Sequence, residues 1–302
     1  MKNKKQRIKA LVLFSGGLDS ILAVKILQKQ GIEAVGLTFV SYFFNAEQAQ
    51  KTAKDLKIDL KVVNFSDEHL DMVKKPRYGY GRAINPCIDC HLMMIKKAGR
   101  ILKKEKYDLI ATGEVLGERP MSQNKQALDL IAKESGIKEY LLRPLSAKLL
   151  EPTILEKNGL IDRQKLLNIS GRSRKIQIAL AEKWKIKEYP TPAGGCLLTD
   201  LQFGSRLKEA FDKWPDADGQ DIELLKLGRH FWFKDNKIVV GRNHQENLKM
   251  KKIAKKEDIL IEPKAFPGPS ILIRSKKEIF PESLSMAKEL MIKYSPKRKH
   301  HL

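Results

Sequence analysis

Residues Ser15-Gly16-Gly17-Leu18-Asp19-Ser20 stand between the apolar run Ala10-Leu11-Val12-Leu13-Phe14 and the run Ile21-Leu22-Ala23-Val24-Lys25-Ile26-Leu27. A buried strand, a glycine turn and a helix in that order put unpaired backbone N–H groups at a helix start, where an anion is favoured. Gly16 and Gly17 can adopt positive φ and bring no Cβ against a phosphate, while Ser15 and Ser20 add hydroxyl donors. Asp19 would repel a bare phosphate, so it reads as the contact for a Mg²⁺ ion lying between the two. The spacing is neither the Walker pattern nor the dinucleotide fingerprint. A chain built on this unit is constrained to an α/β fold whose ligand sits beyond the carboxyl ends of parallel strands.

The pattern that follows keeps to that constraint. Strands are expected at Ala34–Val40, Leu60–Phe65 and Tyr107–Thr112 and helices at Ala46–Leu56 and Ile88–Lys104, which predicts a parallel sheet with helices on both faces. Ile161 to Lys187 reads as helical and rich in base, with Arg163, Arg172, Arg174 and Lys175 close together. Two prolines and two glycines in Tyr189-Pro190-Thr191-Pro192-Ala193-Gly194-Gly195-Cys196 exclude a helix there. The domain boundary is placed just after it, giving domains 1–200 and 201–302. In the second, a helix over Phe203–Trp214 precedes short runs at Phe231–Phe233, Lys237–Val240, Ile259–Glu262 and Ile271–Arg274. These predict a smaller α+β domain with an antiparallel sheet. The cluster Lys297-Arg298-Lys299 reads as a mobile basic tail.

A formal net charge of +22, spread through both halves, concentrates polyanions at the surface and makes nucleic acid the first partner to consider. A lysine-rich proteome would supply part of the same excess. No run of 18 apolar residues occurs, and Met1-Lys2-Asn3-Lys4-Lys5 leads into a strand, so a cytoplasmic protein with no membrane partner is expected. The three cysteines, Cys87, Cys90 and Cys196, are too few and too odd in number for a disulfide framework.

Pro86-Cys87-Ile88-Asp89-Cys90-His91 opens a helix, where both sulfurs point one way and the dipole favours thiolate. Cys196 arrives far downstream after two glycines that allow close approach of something bulky. Three chemistries use such thiols. A 4Fe–4S cluster on three cysteines leaves one iron open. A persulfide on one cysteine can be resolved by another. Zinc could take His91 as its fourth ligand. Asp89 could manage a proton or simply be a first-turn acid.

Ser15 to Ser20 resembles the PP-loop of the ATP pyrophosphatase superfamily, whose sheet is of the adenine nucleotide alpha hydrolase-like kind. The stretch Ala111-Thr112-Gly113-Glu114-Val115-Leu116-Gly117-Glu118-Arg119-Pro120-Met121-Ser122-Gln123 is similar to the TGE-x-LG-x-x-x-SQ segment of the tRNA 4-thiouridine synthetase family, and Leu142-Arg143-Pro144-Leu145 resembles its RPL turn. The resemblance implies ATP-dependent thiolation of tRNA: AMP is transferred to a uridine carbonyl oxygen, pyrophosphate leaves, and sulfur replaces the oxygen, with 4-thiouridine favoured. It implies that Ser15, Gly16, Gly17, Ser20, Gly113, Glu114 and Gln123 hold or orient ATP and that Asp19 holds Mg²⁺. It also implies that Cys87, Cys90 and Cys196 carry the sulfur chemistry as 4Fe–4S ligands, supplied by sulfide or a cysteine desulfurase. Members of that family normally begin with an RNA-binding THUMP region, and with the loop at residue 15 none is expected here. The Pro-Cys-x-x-Cys context is also similar to the 2-thiouridylases of the wobble uridine.

Val240 to Asn247 and Ile261 to Arg274 resemble the NFACT-R domain, whose relatives bind RNA. Arg242, Asn243, Lys264 and Arg274 are then expected to grip RNA, with Arg143, Arg172 and Arg174 as further phosphate contacts. Two other classes remain open: an amide-forming PP-loop ligase, which needs no thiols, and a zinc-holding RNA-binding adaptor. A homodimer through the C-terminal domain is a further expectation.

Overall fold

Apolar runs and amphipathic stretches alternate along the first unit as strands and helices. The structure, a computed structural model, describes residues 8–190, 195–263 and 266–296 and divides into two compact units, Met1–Thr199 and Asp200–Leu302. In the first, β1 (Lys9–Leu13), α1 (Leu18–Gln28), β2 (Glu33–Val40), α2 (Glu47–Leu56), β3 (Leu60–Asn64), α3 (Ser66–Lys74), α4 (Cys87–Glu105), β4 (Leu109–Thr112), α5 (Lys125–Glu134), β5 (Leu141–Leu142), α6 (Ile154–Lys157) and α7 (Lys175–Lys183) follow one another. The sheet order is β3-β2-β1-β4-β5 and every pairing is parallel. Ala10, Leu11 and Val12 are fully buried because both faces are covered. Ile21 and Leu22 of α1 pack on one face with Ala181 of α7, and Ile95 and Ala98 of α4 pack on the other with Ile131 of α5.

Chain order reverses beside β1: β2 and β3 build outward on one side, β4 and β5 on the other. The carboxyl ends of β1 and β4 therefore form the switch point, the crevice in which open α/β sheets bind ligands. The loop after β1 is Ser15 to Ser20, and the loop after β4 begins at Gly113.

The expected long helix over Ile161–Lys187 is corrected to a short turn and one helix. Asp162 accepts a bond from Gln164 N at 2.9 Å and caps a single 3₁₀ turn, Arg163–Lys165. Leu166 and Ile169 then enter the core from irregular chain, Gly171 turns at φ +85°, and only Lys175–Lys183 is α-helical. Two apolar side chains three apart look alike on a helix face and on a chain pinned into a core.

The second unit comprises α8 (Leu201–Lys213), α9 (Gly219–Leu225), β6 (Arg229–Phe233), β7 (Asn236–Val240), α10 (His244–Ile253), β8 (Ile259–Ile261), β9 (Ile271–Arg274) and α11 (Pro281–Tyr294). Its antiparallel sheet has the order β6-β7-β9-β8. Ala287 and Leu290 of α11 cover Ile238, Val240, Ile271 and Ile273, while Leu224 of α9 and Met250 of α10 cover Val239 and Leu272. Asp200 starts the unit as the cap of α8, accepting from Phe203 N at 2.7 Å. No helix among the described residues is long and apolar enough to cross a membrane.

Candidate active site

Gly16 has φ +76°, and a Cβ placed there would stand 2.6 Å from the carbonyl oxygen of Gln48 at the start of α2. Only glycine satisfies both conditions. Gly17 caps α1, its N–H reaching Ser15 Oγ at 3.3 Å and its carbonyl accepting from Ser20 Oγ at 2.8 Å. The first helical bond is Ile21 N to Gly17 O, which leaves the earlier N–H groups of α1 without intrahelical acceptors. Gly113 closes the cradle from the β4 side. A Cβ there would lie 2.6 Å from Asp19 C and Ser20 N, so the chain leaving β4 presses directly on the first turn of α1.

Glu114 follows and is buried. One carboxylate oxygen accepts from Arg143 Nε at 2.8 Å and Thr112 Oγ1 at 2.9 Å, and the other meets His91 Nδ1 at 2.8 Å. Burial opposes its charge, but Arg143 and His91 outweigh burial and hold the carboxyl far below the usual carboxylate range. His91 adjoins Cys90 on α4, so this bond ties the thiol-bearing helix to the loop that presses on Ser20.

The thiol region is assembled from four segments. Cys87 Sγ accepts from Asn85 Nδ2 at 3.1 Å, and Cys90 Sγ lies 3.3 Å from His69 Nε2 of α3. Burial pushes the Cys90 thiol well up, and the nearby Cys196 and Cys87 act in the same direction. Burial likewise pushes Cys196 up to about 11. His69 stacks on Phe65 with ring centroids 4.8 Å apart, and burial lowers it to about 4, so it is neutral beside the sulfur. Asp89 accepts from the backbone N–H groups of Arg77 and Tyr78, both at 3.0 Å, and so anchors the loop that leads into Cys87. Among the described residues no group of three or more His, Cys, Asp or Glu side chains is spaced to hold a metal ion.

In the second unit, Arg274 is 1% exposed. It is spent on Asp258 (2.6 Å), Asp221 (3.0 Å) and the carbonyls of Gln220 and Ile253. Asn243 caps α10, its Oδ1 accepting from Glu246 N at 3.0 Å, and the half-exposed Arg242 pairs with Glu246. Lys237 is an unusual core residue: it is 1% exposed, its Nζ has no hydrogen-bond partner, and it lies 4.2 Å from the ring centroid of Trp232. Burial lowers it to about 8, so between that value and 10.5 the unfolded chain holds a proton the native chain has released. Stability must therefore rise with pH across that window. Lys237→Met is expected to stabilise the protein at pH 7 by about 1–2 kcal/mol after loss of the cation–π contact. Urea melts at pH 7 and pH 9.5 check this, with the gain shrinking at the higher pH.

Residues 6–148 match the family described as Thiamine biosynthesis protein (ThiI), and residues 228–302 match the NFACT protein RNA binding domain. Residues 6–148 thus resemble the ThiI family over just under half of the chain. A tRNA-specific 2-thiouridylase MnmA of Caldicellulosiruptor saccharolyticus is 28% identical over 249 residues, covering 73% of this chain and 64% of the relative. A protein named probable tRNA sulfurtransferase, from Thermoanaerobacter sp. (strain X514), is 33% identical over 148 residues, covering 45% of this chain and 36% of the relative. The chain thus spans less than two thirds of the length of these relatives. A solved structure of the U34-tRNA thiolase NcsA from Methanococcus maripaludis with its [4Fe-4S] cluster aligns with TM-score 0.36 and 20% identity over 75% of each chain.

The first unit brings Ser15, Gly16, Gly17, Asp19, Ser20 and Gly113 together at the switch point. Gln123 lies on the same loop as Gly113, with its Oε1 buried and unpartnered. Three basic expectations change. Arg143 is not an RNA contact as it stands, because the residue is 6% exposed and its guanidinium is bonded to Glu114. Arg274 is removed for the same reason, and Arg174 faces Asp19 of the PP-loop at 3.2 Å. Arg172 is exposed. Lys264, residues 191–194 and the Lys297-Arg298-Lys299 cluster lie outside the described residues. His69, His91 and Gln177 went unassigned or underused in the sequence because nothing local to them announces a partner that is distant along the chain.

Proposed function

We propose that this chain is an ATP-dependent tRNA thiolase that adenylates a uridine carbonyl oxygen, releases pyrophosphate and installs sulfur. The observation that carries the reading is the His91–Glu114 bond at 2.8 Å, which couples the helix opening with Cys87 and Cys90 to the loop packed on the PP-loop. The helix that bears Cys87 and Cys90 is thereby tied to the loop beside the phosphate cradle. The ThiI match and the relatives named for tRNA thiolation support the same reading.

ATP phosphates would lie on the N–H groups of the α1 start, beside Ser15 and Ser20. Asp19 suits a cation, since its Oδ1 is buried without a partner. Mg²⁺ bound there would neutralise charge as the α-phosphate is attacked. Adenylation makes a poor leaving oxygen into a good one, and a sulfur nucleophile then displaces AMP. Cys87, Cys90 and Cys196 are the sulfur-bearing residues, as ligands of a 4Fe–4S cluster or, alternatively, as a persulfide. A cluster on three cysteines supplies one iron open to a sulfur ligand. Sulfide would supply the sulfur to a cluster and the sulfane sulfur of a cysteine desulfurase would supply a persulfide, and the second unit would help hold the tRNA.

The Thr112–Gln123 motif favours the C4 carbonyl; the relatives named 2-thiouridylase carry the second reading, C2. The test is anaerobic incubation with unmodified tRNA, ATP, Mg²⁺ and sulfide, followed by nucleoside mass spectrometry and pyrophosphate assay. One pyrophosphate per 4-thiouridine is expected. 2-Thiouridine instead would move the site to C2, and ATP turnover with ammonia but no thionucleoside would make the chain an amide-forming ligase.

A further inference from the structure

Asp19 is not alone at the mouth of the PP-loop. Arg174, the residue that caps α7, donates from Nη2 to Asp19 Oδ2 at 3.2 Å, and its Nε stands 3.8 Å from Glu118 Oε1. Gln177, one turn further along α7 and fully buried, donates from Nε2 to Glu118 Oε2 at 3.3 Å and also bears on Asp19. Loop, helix and PP-loop thus converge on one small polar space.

The pairing in that space is incomplete. Asp19 Oδ1, Arg174 Nε and Gln177 Oε1 are all buried and have no hydrogen-bond partner. Three orphaned polar atoms beside one another call for a ligand that would satisfy them. Asp19 and Glu118 face each other here with the Arg174 guanidinium between them and the charge of Arg119 also bearing on both. Oxygen ligands around a space now held by a cation are what a small divalent ion uses, and Mg²⁺ commonly takes one or two carboxylates together with substrate phosphates.

We propose that Asp19 and Glu118 together hold the magnesium ion of ATP, that Gln177 Oε1 turns to the same ion or its water, and that Arg174 occupies the ion's place in the nucleotide-free protein before swinging to the phosphates. The proposal rests on the PP-loop binding ATP. It reassigns Arg174 from RNA to nucleotide and gives Glu118 a role that neither charge nor spacing suggested. Arg174 suits the exchange, since a guanidinium released from a carboxylate can grip a phosphate with the same fork.

The experiment is ATP binding by calorimetry on the full chain, in Mg²⁺ and in EDTA, with Mn²⁺ binding followed by electron paramagnetic resonance without nucleotide. Wild type is expected to gain about tenfold or more in ATP affinity from Mg²⁺, and Glu118→Gln to keep its EDTA affinity but lose most of that gain. Arg174→Met is expected to weaken ATP about tenfold in both conditions and to bind Mn²⁺ alone more tightly than wild type. A full Mg²⁺ gain in Glu118→Gln, or unchanged Mn²⁺ affinity in Arg174→Met, overturns the proposal. Wild type that binds no ATP would instead remove the PP-loop reading, and the Mn²⁺ comparison would still decide whether Arg174 stands in for a metal.

Discussion

Arg143→Ala is expected to destabilise the first unit by about 3–5 kcal/mol while leaving the salt dependence of RNA binding where it was. The guanidinium is buried and bonded to Glu114 at 2.8 Å and to the carbonyl of Leu128 at 3.3 Å. Removing it leaves the buried carboxylate with Thr112 and His91 as its remaining side-chain partners. The pH dependence has a fixed sign. The Glu114 carboxyl lies below its ordinary 4.5 in the folded chain, so its contribution is present above that value and is lost as pH falls through the folded one. In Arg143→Ala the stranded carboxyl favours protonation, so the gap between wild type and variant should narrow in acid. Replacing both partners by apolar residues, Glu114→Leu with Arg143→Met, should recover much of the loss, because the cost comes from the unpaired charge. Urea melts between pH 4 and 7 measure all three. If Arg143→Ala were stable and lost about one unit of salt slope, the guanidinium would be an RNA contact after all.

That reversal marks where sequence reading succeeds and where it stops. Strands β1 to β4 were legible because buried parallel strands are near-continuous apolar runs, as at Ala10–Phe14, and because glycine turns punctuate them. The Gly16 turn was legible for a local reason, its neighbours in the chain. β5 was not, since Leu141–Leu142 is too short to show any period. Nor were the destinations of the arginines. Arg174 meets Asp19 155 residues away, Arg143 meets Glu114 29 away and Arg274 meets Asp221 53 away. A basic residue reads the same in sequence whether it faces solvent or a buried carboxylate, and only the fold closes those distances. The 58 Lys and Arg residues therefore overstate the cations available to RNA, whereas the net charge of +22 already subtracts the carboxylates they pair with.

Cys90→Ala should reduce sulfur transfer by about a thousandfold or more while sparing pyrophosphate release, because the substitution removes the sulfur path and leaves the adenylation site intact. Cys90 is the sharpest choice of the three. Both Cys87 and Cys196 act on its titration, and His69 Nε2 stands 3.3 Å from its sulfur. Alanine variants at all three positions separate the two sulfur chemistries. Three cluster ligands act as a set, so iron and labile sulfide measured anaerobically should fall in each variant alike. A persulfide needs one carrier and one resolving thiol, so one of the three variants should keep partial activity and the wild type should contain no iron. His69 sharpens the comparison. Buried, neutral and stacked on Phe65, it can donate a hydrogen bond to a sulfur that carries charge but gives up no charge of its own. Thiolation that survived loss of all three cysteines would mean that the sulfur never passes through this corner of the fold, and that the bond joining His91 to Glu114 is a structural brace alone.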